Sequence, residues 1–180
     1  MNLLARLFSA LTLLALLAAA AVLIWPRLQA PPDPQPPVDL QGPVDFILVE
    51  KSARRMTVFR KGAALKTYRI ALGFAPVGDK VRQGDGRTPE GRFRIDRRNA
   101  ASAYHLSLGL DYPRPEDRAR AQAGGYDPGG DIFIHGQPNA LPASTALRHD
   151  WTAGCIAVTN AEIAELFAAV AIGTEVEVRP

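Results

Sequence analysis

The chain has 180 residues, 47% hydrophobic and 22% charged, with 21 lysines and arginines against 18 acids for a net charge of +3. These values exclude a disordered polyelectrolyte and fit one globular domain with appendages. Basic residues are interspersed with acids, with no long basic block and no basic–aromatic alternation, so nucleic acid is not an expected partner.

Residues 7–25, LFSALTLLALLAAAAVLIW, contain no charge over 19 positions. At about 1.5 Å per residue such a helix just crosses a hydrocarbon core about 30 Å thick. Arg6 and the amino terminus supply the positive flank that stays cytoplasmic. Residues 1–30 are therefore expected to be a signal anchor or signal peptide. The apolar run continues past Ala18–Ala21, and Ala30 precedes Pro31, which favours a retained anchor over cleavage. Residues 31–43, PPDPQPPVDLQGP, follow as an extended, semi-rigid linker.

Residues 44–180 are long enough for one core. Strand-like runs are expected at Phe46–Val49, Met56–Phe59 and Leu65–Leu72, with a turn at Lys61-Gly62. Glycine and proline recur from Gly73 to Gly91, which predicts a long loop. Alternation resumes at Arg92–Ile95 and Tyr104–Leu108, and Pro115–Ala121 has good helix formers behind a leading proline. Asp131–His135 is a strand with its histidine at the end, next to Gly136. After the apolar run Cys155–Val158, Thr159 and Glu162 form a capping box, and Ile163, Leu166, Phe167 and Val170 recur at helical spacing. Gly173 is expected to end that helix, before a last strand at Thr174–Arg179. The domain is thus mainly β with one or two short helices.

Cys155 is the only cysteine, so it has no partner within its own chain. It is either a small buried hydrophobe or a reactive thiol. As a nucleophile it needs a base, because a thiol with a pKa of about 8.5 is mostly protonated at neutral pH. The three histidines are His105, His135 and His149. Their spacings match no common zinc pattern, and no phosphate loop or His-Glu-x-x-His is present. No metal or organic cofactor is expected.

Three blocks then act together: Thr88-Pro89-Glu90-Gly91-Arg92-Phe93, Ile134-His135-Gly136 and Thr152-Ala153-Gly154-Cys155-Ile156. In this order and spacing they resemble the YkuD-type L,D-transpeptidase catalytic domain, and the tail GCIAVTN resembles a proteobacterial subgroup of it. The resemblance covers residues 44–180 and implies a β-sandwich-like fold with the cysteine in a groove. It implies Cys155 as the acylated nucleophile, His135 as general base and acid, and the Gly136 carbonyl as the group orienting the imidazole. The implied substrates are peptidoglycan stem peptides, in cell-wall cross-linking or remodelling and the control of cell shape. Cysteine attacks the carbonyl of the third residue, usually a diamino acid, and expels the terminal D-alanine; a second stem's amine resolves the thioester. Acyl transfer also needs oxyanion donors, expected from the backbone around Gly154 and Cys155.

The implied location is the cell envelope, with a periplasmic domain held at the inner membrane by the N-terminal helix, or free in the periplasm if that helix is cleaved. No protein partner is signalled. Trp151, Thr152, His149 and Arg148 are candidate substrate-binding residues, whereas Thr88–Phe93 is expected to be architectural. One position departs from the resemblance: many family members have arginine two residues after the cysteine, and here it is Ala157. That leaves the acyl acceptor open. A hydrolase with the same nucleophile, an L,D-carboxypeptidase or an amidase releasing wall-linked groups, is the alternative, and a non-catalytic tethered wall-binding protein a third.

Overall fold

Alternating apolar and polar residues, with turn formers between them, build the sheet of this protein one strand after another. The computed structural model describes residue 40, residues 42–142 and residues 144–180. The anchor expected over 7–25 and most of the linker lie outside the described residues. Among the described residues no helix is long and apolar enough to cross a membrane. Leu40, from the expected linker, is buried and joins the hydrophobic core.

Among the described residues, eight strands, β1 (Val44–Glu50), β2 (Arg55–Arg60), β3 (Ala63–Arg69), β4 (Gly91–Ser102), β5 (His105–Leu110), β6 (Phe133–His135), β7 (Ile156–Ala157) and β8 (Val170–Arg179), are joined by two helices, α1 (Pro115–Gly124) and α2 (Asn160–Ala169). One hydrogen-bonded ladder runs in the order β3-β2-β1-β8-β4-β5-β6-β7. Long β4 links the two halves: Gly91–Arg94 pair with β8, and the stretch from Ile95 pairs with β5. The expected sandwich-like arrangement is therefore one curled sheet. Its core is continuous, from Ile47, Val49 and Val58 through Ile95 and Leu108 to Ile134, Ile156 and Ile163.

Local chemistry sets the helix starts. Thr159 accepts a hydrogen bond from the Glu162 N–H at 3.3 Å, and the Glu162 carboxylate accepts from the Thr159 N–H at 2.8 Å. Pro115 opens α1, where its missing N–H costs nothing. The expected end of α2 at Gly173 is corrected. The helix stops at Ala169, Val170 is already extended, and Gly173 lies inside β8 at a positive φ of 92°. Val170 is buried opposite Val44 on β1, so sheet pairing overrides helix continuation there.

The Gly73–Gly91 loop is held by buried charge. Lys51, 2% exposed, donates from Nζ to the Gly78 carbonyl at 2.6 Å, the Thr88 carbonyl at 2.9 Å and the Glu90 carboxylate at 2.8 Å. Burial alone would raise the Asp85 carboxyl. The Val81, Arg82 and Arg87 N–H groups and the Lys80 ammonium outweigh it and hold the pKa at about 2. Thr88 and Phe93 are buried, which fits the architectural reading of that segment.

Replacing Lys51 with methionine keeps the stem but strands two carbonyls and a carboxylate. The Lys51→Met variant is expected to lose about 3–5 kcal/mol of stability in urea unfolding, as for other half-broken buried pairs. A loss under about 1 kcal/mol, the scale of an exposed pair, would show that the lysine does not hold the loop.

Candidate active site

Cys155 and His135 are brought to one cleft by a short parallel ladder. In β6 and β7, Ile134 pairs with Ile156 and His135 with Ala157. Cys155 immediately precedes β7, so a separation of 20 residues in sequence closes to one strand spacing. Cys155 and His135 line one cleft of about 350 Å³ with Tyr104, Ser107, Asp131 and Phe133.

His135 is buried, and its Nδ1 lies 2.7 Å from the carbonyl oxygen of Gly136. A carbonyl only accepts, so Nδ1 carries the proton and Nε2 keeps its lone pair. Tyr104 and Trp151 enclose the ring, with centroids 4.5 Å and 5.6 Å away, the indole edge-on. Burial lowers the His135 pKa, against the opposing pull of the Gly136 carbonyl. Cys155 is partly exposed, and its Sγ lies 3.4 Å from the Asp131 carbonyl as donor. Desolvation raises the thiol pKa, and the nearby Asp131 charge raises it further. The Phe133 N–H and the Lys80 and Arg97 charges act in the opposite direction. The resting pair is therefore neutral thiol and neutral imidazole.

The segment before the cysteine is shaped by side-chain capture of its backbone. The Thr152 hydroxyl donates to the Cys155 carbonyl at 2.7 Å and accepts from the Gly154 N–H at 3.1 Å. The Gly154 N–H is thus committed within the chain, unlike the expectation that it serves as an oxyanion donor. Gly154 has φ of 142°, and a Cβ there would sit 2.7 Å from the Arg87 carbonyl, so only glycine fits.

The other candidates are dispersed. His149 and Arg148 are exposed and do not line the cysteine cleft. Arg148 instead lines a separate pocket of about 10 Å³ with Arg69, Gln137 and Ala157. Trp151 packs behind His135, its Nε1 buried without a hydrogen-bond partner among the described residues. His105 is exposed at the start of β5. Sequence reasoning missed Tyr104, Asp131 and Phe133 as cleft residues. The one available signal was their nearness in sequence to His135; Phe133 shares its strand, whereas the strand expected from Asp131 begins only at Phe133.

The curled sheet thus brings the lone thiol and an oriented, neutral imidazole into one cleft. The chain belongs to the YkuD family: the model of the L,D-transpeptidase catalytic domain matches residues 44–178. It is 28% identical over 134 residues to the putative L,D-transpeptidase YafK of Escherichia coli K12, covering 71% of this chain and 48% of that protein. The chain thus spans about half the length of the curated relatives it matches. The helical cell shape determining protein Pgp2 from Campylobacter jejuni superposes with a TM-score of 0.60 at 25% identity, over 77% of this chain and 48% of that one. Bd1075 of Bdellovibrio bacteriovorus shares the fold with a TM-score of 0.53 at 21% identity, over 80% and 53% of the two chains.

Two predictions concern the resting charges. Alkylation of Cys155 by iodoacetamide is expected to rise with pH through a midpoint above that of an ordinary thiol, with no plateau at neutral pH, because burial disfavours the thiolate. A midpoint below the ordinary thiol value would mean a preformed thiolate. For His135, the folded pKa lies below the unfolded one, so the unfolded chain binds the proton first. Its contribution to stability is complete above about pH 6.5 and falls as pH drops through the folded pKa, with a slope of at most about 1.4 kcal/mol per unit. Urea unfolding of wild type and His135→Gln across pH 4–8 should differ by this acid limb; parallel curves would contradict it.

Proposed function

We propose that this protein is a cysteine L,D-transpeptidase acting on peptidoglycan stem peptides through a thioester on Cys155. The observation that carries the proposal is the shared cleft in which His135, its Nδ1 held by Gly136, faces chemistry with Nε2 free of a proton. Family membership supports the same reading. The envelope location follows from the substrate and from residues 7–25: a periplasmic domain tethered to the inner membrane by an anchor and a proline-rich linker.

In this mechanism Nε2 takes the thiol proton as Sγ bonds to the carbonyl carbon of the third stem residue. The tetrahedral oxyanion is met by the Cys155 N–H, since the neighbouring Gly154 N–H is held by Thr152. The imidazolium then returns its proton to the departing D-alanine amine, the C–N bond breaks, and a thioester remains. A raised thiol pKa and a lowered imidazole pKa make the transfer uphill at rest, so substrate binding must bring the groups together with the carbonyl already in place.

Water as acceptor gives the second reading, an L,D-carboxypeptidase or an amidase releasing wall-linked groups. It is favoured by Ala157, which is 2% exposed and offers no cation beside the imidazole.

The full chain in detergent, incubated with a tetrapeptide muropeptide and followed by intact mass spectrometry, is expected to accumulate an adduct equal to the muropeptide less its terminal D-alanine. Cys155→Ala should abolish it, and His135→Ala should slow its formation by about 10²–10⁴-fold, the usual worth of a general base. An adduct that survives Cys155→Ala would overturn the assignment.

A further inference from the structure

The outward side of the Gly73–Gly91 loop has no part in the thiol chemistry. Its first stretch, Phe74-Ala75-Pro76-Val77-Gly78, leaves Phe74 59% and Val77 84% exposed. Tyr104 and Ile172 are the other large hydrophobic side chains exposed among the described residues. Single exposed apolar residues are ordinary, but two on one short stretch make a patch. The stretch is held in place. The Ala75 N–H donates to the Gly86 carbonyl at 3.0 Å, and the Phe74 ring lies over Gly86, where an added Cβ would meet Cε2 at 2.3 Å. The Lys51 ammonium donates to the Gly78 carbonyl at 2.6 Å. The two apolar side chains therefore stand out from a fixed frame.

Behind this tip lies a cavity of about 420 Å³ lined by Ala75, Val81, Arg82, Asp85, Arg87 and Tyr126. The acids around it are already engaged. Asp85 accepts from the Lys80 ammonium at 2.9 Å and from the Val81, Arg82 and Arg87 N–H groups at 2.7, 3.0 and 3.1 Å. Asp79 pairs with Arg120 at 3.1 Å. Among the described residues no carboxylate lies within ion-pair distance of Arg82 or Arg87. Arg87 donates to the Asp79 carbonyl alone, at 3.3 Å. Two guanidinium groups thus line the cavity without a counter-ion. Tyr126 adds an apolar ring with a polar end, the kind of side chain that suits a membrane–water interface.

An apolar tip beside an anion-accepting cavity matches the two layers of a phospholipid surface. We infer that residues 74–78 and this cavity form a docking surface for an anionic bilayer leaflet. Phe74 and Val77 enter the boundary between headgroups and acyl chains, and Arg82 and Arg87 take headgroup phosphates. A polymer of sugars and short polar peptides can supply anions, but it offers Phe74 and Val77 no apolar phase. The docked loop backs onto the cysteine turn. The Phe74 N–H donates to the Thr152 carbonyl at 2.9 Å, and the Arg87 carbonyl lies 2.7 Å from where a Cβ on Gly154 would project. Docking therefore fixes how the cysteine turn stands against the bilayer, whatever reaction Cys155 performs. The inference does not depend on the thioester reading of the site.

The full chain, labelled with ¹⁵N, is placed in nanodiscs of phosphatidylcholine alone or mixed with phosphatidylglycerol. Each disc carries a lipid with a headgroup nitroxide, which broadens the signals of nearby amides. In the anionic discs the Phe74, Ala75, Val77 and Gly78 amides are expected to broaden, while those of Ala171–Gly173, around the exposed Ile172, stay sharp. Added salt should weaken the effect. Arg82→Gln and Arg87→Gln should each lower the docked-to-free ratio about fivefold, the worth of one cation near an anionic leaflet. Arg82→Lys should keep most of it. Val77→Asp should lower it at least about tenfold. Unchanged core signals in each variant confirm that the fold is intact. Equal broadening in the two disc compositions, or broadening that survives loss of both arginines, overturns the docking surface. Inorganic phosphate and a muropeptide are titrated in parallel. If either shifts the Arg82 and Arg87 Nε–H signals while anionic discs leave residues 74–78 sharp, the cavity belongs to a free anion or to the wall polymer and the docking surface is overturned.

Discussion

The structure depends on a ladder of two short strands. β6 and β7 share only the pairs Ile134–Ile156 and His135–Ala157. The ladder is extended by the Val158 N–H, which donates to the His135 carbonyl at 2.9 Å, and by the Gln137 side-chain amide, which donates to the Val158 carbonyl at 2.6 Å. So short a ladder is weak by itself. It is made rigid by burial, since Ile134 and Ile156 are wholly within the core and Ile163 of α2 joins the same cluster. Parallel pairing also fixes which side chains share a face. His135 and Ala157 stand beside one another, and slipping by one residue would turn the imidazole away from the cleft.

Around this ladder, polar groups are spent on position rather than on charge. The Thr152 hydroxyl fixes the turn at Gly154 and Cys155. The Gly136 carbonyl fixes the imidazole tautomer, and Lys51 fixes the Gly73–Gly91 loop. That loop returns to the site, because the Arg87 carbonyl packs where any side chain at position 154 would project, and Thr88 Oγ1 accepts from the Gly73 N–H at 3.2 Å. Buried hydrogen bonds of this kind cost much when half-made and little when complete. A fully bonded frame therefore tolerates two reactive groups that are both held in their neutral forms.

The sequence was most legible where local rules act alone. Thr159 and Glu162 mark the start of α2, alternation marks β1 and β2, and Pro89 and Gly91 mark a shaped loop. It was less legible where tertiary pairing decides. Gly173 looks like a helix terminator, yet Val170 leaves the helix three residues earlier to pair with Val44. The expected strand at Arg92–Ile95 extends to Ser102, because its second half gains a partner in β5 that no local pattern announces. At the site, Cys155, His135 and Gly136 stand out by motif. Tyr104 does not: it reaches the imidazole only because the β4–β5 hairpin folds over β6, with the Gly136 N–H donating to the Tyr104 carbonyl at 3.0 Å. Asp131 is an ordinary acid in the sequence until the fold sets its backbone carbonyl 3.4 Å from the thiol.

Ala157 shows how one small residue redistributes the work of a site. Its N–H and carbonyl both bond to Ala71, at 2.8 Å and 2.9 Å, and its methyl is buried against the neighbouring strand. A longer side chain at this position would have to emerge beside His135 into the space shared by Arg69, Gln137 and Arg148. With alanine there, no cation arises from the catalytic strand itself. Among the described residues no carboxylate lies within ion-pair distance of Arg69 or Arg148, but neither lines the cysteine cleft. The cations whose charge acts on the thiol are instead Lys80 and Arg97, the latter on β4 and paired with the exposed Asp131. With alanine at 157, the neutral imidazole has no cation beside it from its own ladder.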